Sequence, residues 1–243
     1  MGYEPGTSAY NRAVADAVEA VRETVARACA VAGRKPAGVS LLAVSKFNPV
    51  EAVMAAYAAG LRLFGENRVQ EAEEKFVALK ASYPDIQLHL LGHLQTNKAR
   101  KAIGLFDCIQ SVDSEKLLVE LARHAEASGV LMDILFELHT GEESKSGFAD
   151  ADQLYRAFDV ALSLPMLRPR GLMTMAPYTD DAKAIRASFR ACRVAFDELA
   201  ARHVSSGWDI VSMGMTNDYP LAIEEGSTLI RIGAAIFGER AYP

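Results

Sequence analysis

About eight short apolar runs, each followed by a helix or a turn, restrict this chain to a small set of folds. The runs lie at 41–45, 61–65, 87–91, 107–112, 132–139, 170–175, 209–213 and 228–233. Strands that alternate with helical stretches make a parallel sheet covered by helices. A doubly wound nucleotide fold would usually place a G-x-G-x-x-G turn after its first strand. Here that turn reads SKFNPVE. The chain therefore reads as an α/β protein, a single-domain (β/α)8 TIM barrel. Its 243 residues match the roughly 250 that such a barrel needs. Ahead of the first run, 9–32 is rich in Ala and Val with charges interleaved. That pattern predicts an extra N-terminal helix stopped by Gly33. Residues 1–8 are left as a flexible head, and 9–243 form one domain.

Helix ends carry their own signals. Asn48, Pro49 and Glu51 predict an N-cap, a first-turn proline and a capping-box acid. Asp113 or Ser114 predicts another cap, Pro165 closes a helix running from about 152, and 181–203 is one long helix.

Composition removes several functions. The 26 basic and 31 acidic residues leave a net charge of -5, so nothing favours nucleic acid or an anionic membrane. Cys29, Cys108 and Cys192 are odd in number and form no C-x-x-C pair, which reads as reduced thiols rather than disulfides or metal ligands. The start MGYEPGTSAYNRAV has no basic region followed by an apolar stretch, and Gly2 lacks the polybasic support of a lipid anchor. No apolar run approaches the roughly 20 residues of a membrane span. The expectation is a cytoplasmic protein.

In a barrel, functional groups gather at the C-terminal ends of the strands, and phosphate is often held after strands seven and eight. Lys46 ends the first run; Glu66 and Asn67 follow the second in FGENRVQE. His89 lies within the third run, with Gln95 and Asn97 after it in LHLLGHLQTNK. Met173 and Met175 end the sixth in GLMTMAP. Ser212, Gly214 and Thr216 end the seventh in SMGMTND, and Arg231 and Gly233 lie on the eighth in LIRIGAAIFG. Taken alone, Lys46 reads more readily as a lysine snorkelling to solvent than as a desolvated amine able to attack an aldehyde. Arg231 says more. If Ile230 and Ile232 face the helices, Arg231 points into the barrel and needs an anion or a ring acceptor. The competing reading is a structural salt bridge to an acid such as Glu66. Hydroxyls and backbone amides around Gly214, before a short helix in DYPLAIEEG, form a phosphate cradle or simply a capped turn. The GEESKSGF loop reads as a solvated rim, and its Lys145 lacks the buried strand that would desolvate a reactive amine.

As an ordered set, AVSK, FGENRVQE, LHLLGHLQTNK, SVDS, GEESKSGF, GLMTMAP, SMGMTND and GSTLIRIGAAIFG resemble the YggS/PROSC family of pyridoxal phosphate homeostasis proteins over nearly the whole chain. The resemblance implies a barrel like the N-terminal domain of alanine racemase. It implies pyridoxal 5′-phosphate (PLP) on Lys46, phosphate around Ser212, Gly214, Thr216 and Gly233, and Arg231 near the pyridine nitrogen. Asn67 and Met173 would lie beside the cofactor, and His89 is grouped with them. The chain departs from the family at Phe47, where Thr is common, at His139 for Asn, at Ala234 for a hydroxyl residue, and at Leu88 for an aromatic.

An arginine at the pyridine nitrogen cannot supply the proton that makes PLP a strong electron sink. Racemisation also needs a base on each ring face, and in the racemase type a further C-terminal domain completes the site. This chain ends soon after its last strand, with no room for that domain. The expected function is PLP binding in vitamin B6 homeostasis, with a Schiff base on Lys46 and no efficient turnover, and the resemblance favours a monomer. Delivery of the cofactor would make PLP-dependent apoenzymes its partners. The alternatives are a racemase or lyase using His89, Tyr178 or Tyr219 as acid/base, and a Schiff-base aldolase acting on a sugar phosphate.

Overall fold

The computed structural model describes residues 3–141, 146–202 and 207–238; Lys145 of the loop after the fifth strand, His203 and the chain ends lie outside them. The eight runs are strands: β1 (Ser40–Val44), β2 (Leu63–Glu66), β3 (Gln87–Leu90), β4 (Cys108–Val112), β5 (Met132–Glu137), β6 (Leu167–Met173), β7 (Ile210–Ser212) and β8 (Leu229–Ile232). All are parallel and pair in sequence order, and β1 pairs with β8 to close the barrel. The helices are α1 (Ser8–Val31), α2 (Val50–Ala58), α3 (Val69–Ser82), α4 (Ala99–Ile103), α5 (Glu115–Ser128), α6 (Ala151–Leu162), α7 (Ala182–Arg202), α8 (Tyr219–Glu224) and α9 (Ala234–Phe237).

The extra helix α1 starts at a Thr7 cap whose hydroxyl accepts from the Tyr10 N–H, and it ends before Gly33 at φ 64°. Tyr10, Val14, Val18, Val21, Val25 and Cys29 fall on one face and are buried. That face packs on α2, α8 and α9, outside the β1–β8 seam. All three cysteines are buried and free.

Several boundary expectations change. The second strand begins at Leu63 rather than at 61, because Leu61 is buried in the core between barrel and helices, just after the Gly60 turn. The start of α2 also differs: Pro49, not Asn48, is the N-cap, and it makes no side-chain capping bond. Asn48 instead donates through Nδ2 to the Lys46 carbonyl, 3.2 Å away. The Ser114 cap stands, with its hydroxyl accepting from the Leu117 N–H. The sixth strand runs Leu167–Met173 rather than 170–175, and it bulges against β5 near Gly171. A Cβ at Gly171 would sit 1.7 Å from the Ile210 carbonyl oxygen, so only glycine fits there.

Most of the core lies between the strands and the helices, with Phe64, Phe76, Phe136, Phe158 and Phe189 among its fully buried side chains. Barrel interiors are usually filled by layers of branched apolar residues. This one holds two small apolar groups, Leu42, Val44 and Leu229 in one, Cys108, Leu135 and Met173 in the other. Buried polar side chains accompany them, namely His89, Gln110, Glu137, Ser212 and Arg231. Polar atoms inside a barrel need partners, and following those partners defines the site.

Candidate functional site at the C-terminal mouth

Strand alternation sends Leu42 and Val44 inward. Lys46 lies two residues beyond Val44, so it falls on the inward side at the C-terminal mouth, where it is half-buried. On β8, Ile230 and Ile232 pack into the outer core while Leu229 faces the interior. Arg231 therefore points inward, as the sequence pattern predicts, and is 4% exposed. Its Nη1 donates to the Ser212 carbonyl and hydroxyl oxygens, both at 2.8 Å, and its Nη2 donates to the Thr174 carbonyl at 2.8 Å.

These three bonds leave part of the five-donor guanidinium open. Among the described residues no carboxylate forms a salt bridge with Arg231. The salt bridge to Glu66 is ruled out by strand direction. Glu66 sits on the outer side of β2, where Ser45 Oγ donates to its Oε1 at 2.6 Å and Lys75 Nζ lies 2.6 Å from the same oxygen. Burial pulls the Arg231 guanidinium down to about 10, with the more distant Asp218 and Glu137 opposing that pull. A buried cation without an anion is costly to a folded protein. The remaining Arg231 donors are suited to an acceptor at the barrel mouth.

From Arg231 the hydrogen bonds run deeper. Ser212 Oγ donates to Gln110 Oε1 at 2.6 Å, and Gln110 Nε2 lies 2.7 Å from His89 Nδ1. The direction of this string follows from its first member. Arg231 can only donate, so the Ser212 hydroxyl accepts from it and passes its own hydrogen to Gln110 Oε1. Gln110 Nε2 must then donate to a bare His89 Nδ1, which places the imidazole proton on Nε2. Burial holds His89 neutral, its pKa lowered from 6.5 to about 4.

His89 is thus one layer below Lys46. It lines a cavity of about 700 Å3 at the opposite, N-terminal face, together with Ser40, Gln87, Cys108 and Met132. Charges at that face compensate one another: Arg170 bonds Asp133 at 2.7 Å and Asp209 at 2.8 Å. The two ends of the barrel therefore differ in kind. One is neutralised by direct ion pairs, and at the other Arg231 makes no salt bridge among the described residues.

Beside Arg231, two glycine turns meet. The Arg231 N–H donates to the Gly214 carbonyl at 2.9 Å, fixing the turn after β7 against the end of β8. Gly214 has φ 95°, and a Cβ there would lie 2.6 Å from Ala222 Cβ and 2.9 Å from Tyr219 Cα, so α8 packs directly on the turn. Gly233 precedes α9, whose Ile236 and Phe237 amides both bond its carbonyl. The first-turn amides of Ala234 and Ala235 have no intrahelical acceptor, and Ala234 adds no hydroxyl. Thr216 is half-buried in the same region, where Asp218 accepts from the Met215 N–H.

Met173 is buried inside the barrel, and Asn67 is half-buried just after β2, its backbone crossed closely by Gly92. Gln95 and Asn97 are exposed on the loop after β3. Of the proposed acid/base tyrosines, Tyr178 is 93% exposed and Tyr219 is buried in the outer core. Sequence reasoning passed over Gln110 and Glu137, two polar residues at inward positions of otherwise apolar strands; the polar interruption of CIQSV was the available signal.

The family model of the alanine racemase N-terminal domain matches residues 17–241. A pyridoxal phosphate homeostasis protein of Aquifex aeolicus (strain VF5) is 39% identical over 222 residues, spanning 91% of this chain and 96% of that protein. The chain belongs to the pyridoxal phosphate homeostasis proteins of the alanine racemase N-terminal domain family. A solved structure of PipY from Synechococcus elongatus PCC7942, with PLP bound, is 38% identical with a TM-score of 0.81, covering 93% of this chain and 100% of that one. Alanine racemase from Streptomyces coelicolor A3(2) is 22% identical with a TM-score of 0.70 and shares the fold; the match covers 96% of this chain and 58% of the racemase. This homeostasis-family barrel thus shares the fold of the matched part of the racemase.

Proposed function

We propose that this protein binds PLP at the C-terminal mouth and serves vitamin B6 homeostasis by holding the cofactor rather than turning it over. The buried Arg231 guanidinium, with open donors and no salt-bridged carboxylate among the described residues, carries this reading. PLP supplies an acceptor ring nitrogen, a phosphate and an aldehyde that condenses with an amine to a Schiff base. The residues fit each part. Arg231 would donate to the ring nitrogen, and Ser212, Gly214, Thr216 and Gly233 would surround the phosphate with hydroxyls and turn amides. Lys46 would supply the amine, and Asn67 and Met173 would flank the ring. His89 would act on this site through Gln110 and Ser212. A donor-only arginine leaves the ring nitrogen unprotonated, which weakens carbanion stabilisation and favours retention over catalysis.

The test is the purified protein with added PLP. Imine absorption in the visible range and a borohydride-fixed adduct on the Lys46 peptide are the expected results. A protein that stays colourless and unlabelled overturns the reading. Steady-state turnover of amino acids by intact holo-protein would instead support the racemase or lyase alternative. Among the described residues no helix is long and apolar enough to cross a membrane. We place the protein in the cytoplasm as a monomer, with a solution mass near 26.3 kDa; a dimer mass by light scattering would remove the latter statement.

A further inference from the structure

The turn that carries Lys46 is gripped from outside the barrel by a second lysine. Lys75 projects from α3 and is only 8% exposed. Its ammonium donates to the carbonyls of Ser45 at 2.9 Å and Asn48 at 3.2 Å, on either side of Lys46. The same ammonium pairs with Glu66 Oε1 at 2.6 Å and Glu71 Oε1 at 2.9 Å. Glu71 Oε1 also accepts from the Phe47 N–H, and Asn48 donates to the Lys46 carbonyl. Each residue from Ser45 to Asn48 is thereby tied by at least one polar contact.

Two features set this clamp apart from an ordinary ion pair. Phe47 sits at φ 63°, the one non-glycine residue with positive φ among the described residues. A bulky side chain in that region is strained and persists only where its surroundings over-determine it. The clamp is also expensive in itself. It places one ammonium and two carboxylates largely out of water, and Glu66 Oε2 is buried with no hydrogen-bond partner. Apolar residues of similar size often stabilise a fold at least as well as buried charges. What charges add is direction, and all of them are directed at one turn.

A lysine side chain has four rotatable bonds, so the place of its amine depends on how firmly its backbone is held. We propose that Lys75, with Glu66 and Glu71, is a positioning group that holds the Ser45–Asn48 turn so that Lys46 stays aimed into the barrel mouth. This rests on the reading that Lys46 carries PLP.

The experiment compares wild type, Lys75→Met and Glu71→Gln. PLP dissociation is followed by decay of the imine band after dilution, and amide hydrogen exchange at Phe47 and Asn48 is measured in the PLP-free protein. Dissociation at least tenfold faster in Lys75→Met, in the same direction but smaller in Glu71→Gln, with faster exchange at both amides, supports the clamp. If Lys75→Met does not fold, Glu71→Gln decides on the same two measurements. Folded variants that melt at lower temperature yet keep wild-type dissociation and exchange overturn it, since a merely structural ion pair would behave that way. A wild type with no imine band refutes the PLP reading itself, before any variant is measured, so the two failures are distinct.

Discussion

Lys46→Ala is expected to abolish the imine band completely while leaving a folded barrel. On the proposed reading, the substitution would remove the covalent bond that turns a reversible ligand into a held one. The Gly214 and Gly233 turns and Arg231, the groups proposed to hold the phosphate and the ring, remain, so weak binding of PLP should persist without the visible chromophore. We expect affinity to fall at least about 100-fold, or roughly 2.7 kcal/mol. The fold should tolerate the change because Lys46 is half-buried at the mouth rather than in the core, and such substitutions shift stability by less than about 1 kcal/mol.

The neighbouring amine cannot take its place. Lys75 Nζ is on the outer side of β1 and is engaged by two carboxylates and two carbonyls. An ammonium held that way is not a nucleophile. PLP titration followed by difference spectroscopy and by equilibrium dialysis separates the two effects. An imine band of wild-type size in the variant would place the anchor elsewhere.

The barrel itself was legible because the strand signal is redundant: eight runs, each bounded by helical stretches, survive an error at any one of them. Boundaries were less so. Leu61 looks like the start of a strand by hydrophobicity, yet its apolar side chain fills the helix layer. Hydrophobicity alone does not report which layer is filled. Asn48 before Pro49 reads as a cap, but the left-handed turn at Phe47 brings its amide to the Lys46 carbonyl instead. Lys46, Arg231 and the two glycine turns were readable because strand ends in a barrel converge on one mouth. Lys75 was not, since in EAEEKF it looks like one more charge on a solvated helix face. Its burial depends on α3 lying against the β1 turn, a contact far apart in sequence. His89 lies within the third strand, as the sequence indicates, but its layer below the mouth shows only in the structure, because alternation gives the face of a residue and not its layer.

That depth gives His89 an expected role in acid stability. In the folded protein its pKa lies at about 4, chiefly through burial, against about 6.5 in an unfolded chain. Above pH 6.5 neither state holds the proton, and His89 imposes no penalty. Between 6.5 and 4 the unfolded chain takes up a proton that the native state refuses, so stability falls as pH falls. Below about 4 both states are protonated and the loss stops growing. At about 1.4 kcal/mol for each tenfold difference in proton affinity, the window contributes about 3 kcal/mol. The hydrogen-bond string acts in the same sense, because a proton on Nδ1 would face the Gln110 N–H.

His89→Asn retains an acceptor for Gln110 and removes the titration. Urea unfolding of PLP-free protein from pH 7 to pH 4 should therefore show wild type losing about 3 kcal/mol more than the variant. Burial pushes the carboxyls of Glu66 and Asp218 up, which works in the opposite sense. Both groups are present in the two proteins and cancel in the difference. Parallel pH profiles would mean that His89 protonates freely in the fold. The inferred order of donors from Arg231 through Ser212 and Gln110 would then be wrong, because a protonated imidazole forces Gln110 to turn its oxygen toward His89 and its N–H toward Ser212.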